Sequence, residues 1–224
     1  MVEIYSINIA SDISKSKYAE LLLSISNEKR SRIDKFYYEV DKKRALFGEA
    51  LIRYLILKNK EIRNEKIAFV YNEFGKPYLK NSPNFYFNIS HSGDWVICAI
   101  GSHEIGVDIE QIEQIETADL ARRCFTKMEY DELIKKSEEE RNRFFFSIWT
   151  LKESYVKWIG KGLTISFDSF RFEIKDKIEV VSDVDKKVNF GQYCIDEKHI
   201  VSVCSKEESF PSIIKDININ EILL

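Results

Sequence analysis

Apolar and polar positions follow two different periods along this chain, and the switches between them mark its elements. Residues 1–9 alternate, with Tyr5, Ile7 and Ile9 on one face and Ser6 and Asn8 on the other, which is the period of a strand. Residues 16–35 read as helical. Residues 39–59 do so more strongly, because Phe47, Leu51, Tyr54 and Leu55 recur at helical spacing. Strands are predicted at 67–71, 84–90 and 94–101. A short turn around Gly101-Ser102-His103 leads into another strand at 104–110.

The same order then repeats. Helices are predicted at 118–123 and 127–136, followed by a long helix at 139–159 that Gly160 terminates. Strands follow at 168–174, 189–196 and 198–204. The two long helices overlie each other at an offset of 153 − 49 = 104 residues. Glu49-Ala50-Leu51-Ile52-Arg53-Tyr54-Leu55 then matches Glu153-Ser154-Tyr155-Val156-Lys157-Trp158-Ile159 in residue character, position by position. The pattern predicts a duplicated α/β unit, with halves at 1–103 and 104–224. A cleft between two such halves is a common place for a small ligand.

Composition narrows the class. Hydrophobic residues make up 44% of 224, too many for a disordered chain. No stretch reaches the roughly 18 apolar residues of a membrane span, and Met1-Val2-Glu3-Ile4-Tyr5 has no secretory pattern. Cys98, Cys124, Cys194 and Cys204 are scattered, with no CxxC pair, so free thiols in a reducing cytoplasm are expected. The net charge, 34 − 37 = −3, argues against non-specific nucleic-acid binding.

Five segments carry candidate chemistry, and each also has a plain structural reading. In Gly106-Val107-Asp108-Ile109-Glu110, strand alternation puts both carboxylates on one face. They repel unless a cation lies between them, and hard oxygen donors suit magnesium; a solvated strand face is the other reading. In Trp149-Thr150-Leu151-Lys152-Glu153-Ser154-Tyr155-Val156-Lys157-Trp158, residues Trp149, Glu153 and Lys157 share the face opposite Ile148, Leu151, Tyr155 and Trp158. Glu153 and Lys157 read equally as a helix-stabilising pair. Trp149 on that face calls for a cover, such as the other half of the molecule. Phe87-Asn88-Ile89-Ser90-His91-Ser92-Gly93 offers hydroxyl, imidazole and backbone groups to a phosphate, or is an ordinary hairpin turn. Phe74-Gly75-Lys76-Pro77-Tyr78 is a stiffened turn that fixes where Lys76 points. Residues 29–44 hold seven basic groups against three acidic ones, 7 − 3 = +4, as a solvated face or a cradle for phosphates.

The order of these motifs is more specific than any one of them. The series GKP, FNISHSG, GVDIE and WTLKESYVKWIGKGL closely resembles the phosphopantetheinyl transferases of the surfactin-synthetase-activating type, from about Lys29 to Leu163. The resemblance implies a pseudo-dimer of two α/β subdomains with the active site in the cleft between them. It implies transfer of phosphopantetheine from coenzyme A to a serine of an apo carrier protein, peptidyl or acyl, releasing adenosine 3′,5′-bisphosphate. Asp108, Glu110 and Glu153 would hold magnesium, Lys157 would contact the pyrophosphate, and Glu153 would serve as base, with Asp108, Glu153 and Lys157 as the catalytic set. Lys29, Arg32, Arg44, Lys76, Pro77, Ser90 and His91 would contact coenzyme A. Arg32 stands where a lysine is common, and Ala45 where a small hydroxyl residue often sits. Phe125, Met128 and Tyr130, or the segment after Gly162, are candidates for the carrier-docking patch. Fatty-acid, polyketide and nonribosomal-peptide carriers all fit, and one chain supplying both halves suggests a monomer. A degenerate homologue that binds coenzyme A or carrier without turnover is the competing reading.

Overall fold

A computed structural model describes residues 1–182 and 187–224. The first half runs β1 (Glu3–Asn8), α1 (Lys15–Ser24), α2 (Asn27–Asp34), α3 (Glu39–Asn59), β2 (Phe69–Tyr71), β3 (Pro77–Leu79), β4 (Tyr86–Ser92) and β5 (Trp95–Gly101). The second runs β6 (Ile105–Gln111), α4 (Thr117–Cys124), α5 (Lys127–Ile134), α6 (Glu138–Ile159), β7 (Arg171–Ile174), β8 (Ile178–Val181), β9 (Asn189–Cys194) and β10 (His199–Ser205). Element for element the order is the same: strand, two short helices, long helix, hairpin, strand pair. The sheet orders match too, β1-β5-β4 and β6-β10-β9. In register, Asp108 stands opposite Ser202 as Tyr5 stands opposite Cys98. The fold is therefore α/β, built from two similar subdomains.

Local chemistry explains the boundaries. The region expected as one helix at 16–35 is two, because Ile25 turns extended and the Ser26 hydroxyl caps a new helix by accepting from Lys29 N. Thr126 with Glu129, and Ser137 with Glu140, form capping boxes at the starts of α5 and α6. Gly160 ends α6 in the left-handed conformation, φ 74°. β5 and β6 are neighbours in sequence but do not pair: β5 lies between β1 and β4, while β6 pairs with β10. The turn at Gly101-Ser102-His103 is where the chain leaves one sheet for the other.

Three cores hold the elements. α3 covers one face of the first sheet through Phe47, Leu51 and Leu55, which meet Val96, Cys98 and Ile100 of β5. α6 covers the second sheet through Ile148, Leu151 and Tyr155, with Ile200 and Cys204 of β10. Between the sheets, Ile4, Ile97 and Ala99 of the first meet Val107, Ile109, Val201 and Val203 of the second. β1 is thus buried on both sides, and Ser6 is buried rather than solvated, donating to Asp216 Oδ1. The tail crosses back to the first half: β11 (Lys215–Asp216) joins β1 in parallel, and Ile219 and Ile222 enter the first core. No helix among the described residues is long and apolar enough to cross a membrane.

Candidate active site

The site lies on a seam between the two sheets. β4 runs beside β6, joined through side chains instead of a backbone ladder. Asn88, Ser90 and Ser92, two apart, share a face of β4. Asn88 Oδ1 accepts from Val107 N at 2.9 Å, and Ser90 Oγ donates to Asp108 Oδ1 at 2.9 Å. Ser92 Oγ donates to Glu110 Oε2 and accepts from Gln111 N, each at 3.1 Å. With Val107 and Ile109 committed to the core between the sheets, the alternation of β6 turns Gly106, Asp108 and Glu110 the other way, towards α6.

Gly106 sets the approach of α6. A Cβ there would stand 2.0 Å from Ser154 O and 2.5 Å from Trp158 N, so only glycine lets helix and strand touch. That contact brings Glu153 and Lys157 to the seam. Lys157 Nζ donates to Asp108 Oδ1 at 2.6 Å and to Ser90 Oγ at 3.0 Å. The corresponding residues of the first half behave differently: Arg53 Nε donates to Glu49 Oε1 at 2.7 Å in a buried pair. The repeat kept an acid and a base at this helical spacing in both halves, but only the second half turns its base towards a strand carboxylate.

Three carboxyls interact here. Burial raises Asp108, against the opposing pull of Lys157 and Ser90. Glu110 is pushed up to about 7 by burial and then by the charge of Asp108. Glu153 is raised by burial and again by Asp108. Asp108 Oδ2 is buried with no hydrogen-bond partner. Among the described residues no three His, Cys, Asp or Glu side chains close around a common ion-sized point. Ser92 holds Glu110, and Lys157 sits against Asp108.

The other expected residues divide. Lys76 and Pro77 line a pocket of about 300 Å³ together with Phe74, Val156, Glu153 and Lys157. The Lys76 ammonium, however, turns inwards to Glu104 Oε2 (2.7 Å), Ile105 O (3.1 Å) and Trp158 O (3.3 Å). His91 faces the opposite way from its neighbour Ser90, and its pKa is lowered by desolvation and then by the charges of Arg44 and Lys157. Lys29 is half-buried, with its ammonium 3.6 Å from Glu49 Oε2. Arg32 is exposed. Arg44 commits Nε and Nη2 to Gly93 O and Nη1 to Asp41.

Some roles were invisible in the sequence. Lys152 is fully buried; it pairs with Glu129 at 2.9 Å and donates to the carbonyls of Phe167 (2.7 Å) and Phe170 (2.6 Å). Glu129 also closes the capping box of α5 with Thr126. Trp149 is covered by its own half, stacked on Phe145 and edge-on to Phe167, not by the first half. Phe125 is 4% exposed and stacks on Phe145, so it is core and not a docking residue; Met128 is exposed and Tyr130 half-buried. Asn72 and Glu104, which had no distinguishing signal, sit at the end of α6 beside Lys76.

The fold and site thus define a two-lobed protein whose halves meet at a carboxylate-rich seam with one lysine and a neighbouring pocket. Residues 104–209 match the 4′-phosphopantetheinyl transferase superfamily, and residues 12–103 match the family described as 4′-phosphopantetheinyl transferase, N-terminal. The chain is 34% identical over 225 aligned positions to the 4′-phosphopantetheinyl transferase Sfp of Bacillus subtilis (strain 168), covering 99% of this chain and 100% of that one. It is 36% identical to the 4′-phosphopantetheinyl transferase gsp of Aneurinibacillus migulanus, over 84% of this chain and 78% of that one. A holo-(acyl-carrier-protein) synthase from Bacillus anthracis, solved in complex with CoA (3′,5′-ADP), aligns with 46% of this chain and 93% of its own at 20% identity and a TM-score of 0.41. The chain belongs to the 4′-phosphopantetheinyl transferase superfamily, whose function is transfer of phosphopantetheine to carrier proteins.

Proposed function

We propose that the protein moves the 4′-phosphopantetheine moiety of coenzyme A onto the acceptor serine of an apo carrier protein, peptidyl or acyl, and releases adenosine 3′,5′-bisphosphate. The observation that carries this reading is the seam: a buried aspartate with one oxygen unpartnered, flanked by two further carboxyls and Lys157, beside a pocket open to a ligand. Phosphoryl transfer asks a protein chiefly for positioning and charge neutralisation.

The chemistry of the donors suits magnesium. Hard oxygen atoms suit the ion, and the unpartnered Asp108 Oδ2 together with the raised Glu110 and Glu153 is what a site short of positive charge looks like. Asp108, Glu110 and Glu153 would hold it, and when bound it would neutralise charge on the pyrophosphate. The chain's own groups do the rest. Lys157 is aimed at the same place and offers an ammonium to the pyrophosphate. Glu153, its pKa raised by burial and by the charge of Asp108, takes the proton of the incoming serine, directly or through one water. The serine oxygen bonds to the phosphorus that carries the pantetheine arm. The bond from that phosphorus to the adenosine bisphosphate breaks, and the nucleotide leaves with the electron pair. Lys76 and Pro77 shape the nucleotide pocket, Ser90 and His91 would contact its phosphates, and Lys29, Arg32 and Arg44 add positive charge. One chain supplies both walls of the cleft, which supports a monomer, and the four free cysteines suit a reducing cytoplasm.

The test mixes the protein with coenzyme A, magnesium chloride and an apo carrier protein. Mass spectrometry should show one phosphopantetheine added to the carrier serine. Tight coenzyme A binding with no mass gain on either acyl or peptidyl carriers would refute transfer and leave a binding module.

A further inference from the structure

The turn between β2 and β3 reaches across the molecule to the end of α6. Asn72 Nδ2 donates to Gly160 O at 2.8 Å. Lys76 Nζ donates to Trp158 O, to Ile105 O and to Glu104 Oε2. A helix leaves its last carbonyls without internal partners and favours a cation nearby; here both the partners and the cation come from the other half of the chain. The turn is itself well held: Asn72 Oδ1 accepts from Lys76 N at 2.9 Å and from Phe74 N at 3.0 Å. Gly75 takes φ 86° at its tip. Lys76 is 8% exposed and its ammonium is committed to those three oxygens, so it is turned away from a ligand in the pocket the residue lines.

The bonded atoms lie next to the chemistry. Trp158 follows Lys157. Ile105 precedes Gly106, where α6 touches β6, and lies three residues before Asp108. We infer that Lys76, seconded by Asn72, is a positioning residue: a clasp from the first half that pins the end of α6 to the start of β6 and so fixes Lys157 and Glu153 against Asp108. This rests on the transfer reading above for its kinetic consequence but not for its structural one. A misplacement of about 1 Å caused by a residue away from the reacting atoms can cost about 100-fold in rate.

The experiment compares wild type with Lys76→Met, Lys76→Arg and Asn72→Ala. Transfer kinetics are measured against coenzyme A, and amide hydrogen exchange is followed across 105–108 and 156–160. For Lys76→Met we expect kcat to fall about tenfold or more with the KM for coenzyme A nearly unchanged. Lys76→Arg should restore most of kcat, and Asn72→Ala should show the same split more weakly. Exchange at 156–160 should quicken in Lys76→Met and in Asn72→Ala. A loss seated in KM, with kcat kept, would instead place the ammonium on coenzyme A and overturn the clasp. Unchanged exchange in both variants would overturn it as well. If Lys76→Met does not fold, Asn72→Ala decides. A wild type that transfers nothing would sink the transfer reading, while the exchange data would still judge the clasp.

Discussion

Lys157 and Asp108 come from opposite sides of a helix–strand contact and meet at 2.6 Å, while the second oxygen of the same aspartate is buried without a partner. One buried carboxylate thus serves a fixed lysine on one side and has capacity for a further positive charge on the other.

Removing that capacity should abolish chemistry before it harms the fold. Asp108→Asn and Glu153→Gln are expected to lower kcat by about 100-fold or more, since each removes a group placed at the reacting atoms. Circular dichroism spectra should stay native. Near-normal rates in both variants would refute the assignment of this seam as the active site.

Magnesium should stabilise the folded protein, because an ion that binds only the native state adds stability by mass action. At about 100 times its dissociation constant the gain is about 2.7 kcal/mol. A thermal melt should therefore shift upward with magnesium chloride, return on adding EDTA, and lose the shift in Asp108→Asn. A wild-type melt indifferent to magnesium, manganese and EDTA would argue against the metal.

Gly106→Ala should be among the most damaging single changes. Its Cβ would meet backbone atoms, Ser154 O and Trp158 N, which cannot swing away as a side chain can. We expect a loss of about 3 kcal/mol in urea unfolding, the upper range for overpacking, with transfer falling further than stability explains. A stable, active Gly106→Ala would mean that α6 does not pack on β6 this closely.

Lys152→Met should also destabilise, for a different reason. It strands the Glu129 carboxylate, 2% exposed, and removes the donor to two carbonyls. Breaking one side of such a buried pair costs about 3–5 kcal/mol. The double variant Lys152→Met/Glu129→Gln should recover part of that loss, and a double variant no better than the single would show that the carboxylate is not what makes it costly.

Acid should weaken the protein partly through Glu207. Its carboxylate accepts from Ser102 Oγ and lies 3.0 Å from His103 Nδ1, which hold its pKa down to about 2. A folded pKa below the ordinary 4.5 means the folded state binds fewer protons than the unfolded state between those values. The contribution is complete above about pH 4.5 and is lost as pH falls towards 2. Glu207→Gln should flatten stability against pH in that window and leave the slope above pH 5 unchanged. An identical acid slope in both proteins would contradict the bonding seen at Glu207.

Much of the fold could be read from local pattern. The helix at 39–59, the start of the long second helix and its stop at Gly160, and the duplicated order all rest on periodicity and caps, which depend on residues a few positions apart. The failures were of another kind. β3 and β8 are the return strands of two short hairpins, defined by pairing with β2 and β7, and β11 exists only because the tail crosses back to lie beside β1. Ser26 was needed to split one expected helix into two, and its capping role shows only once Ile25 is seen to leave the helix.

At the site, local pattern names the available groups: two carboxylates on one strand face, and an acid and a base four apart on a helix. Glu49 with Arg53 and Glu153 with Lys157 have the same spacing and character, yet one pair closes on itself and the other opens onto Asp108. Packing in three dimensions makes the difference, because it depends on Gly106 letting α6 reach β6 and on β4 bringing Ser90 alongside. The inward turn of Lys76, the burial of Lys152 and the loss of Phe125 to the core have the same cause. Periodicity tells a side chain which face to take, but what waits on that face is set by segments tens of residues away.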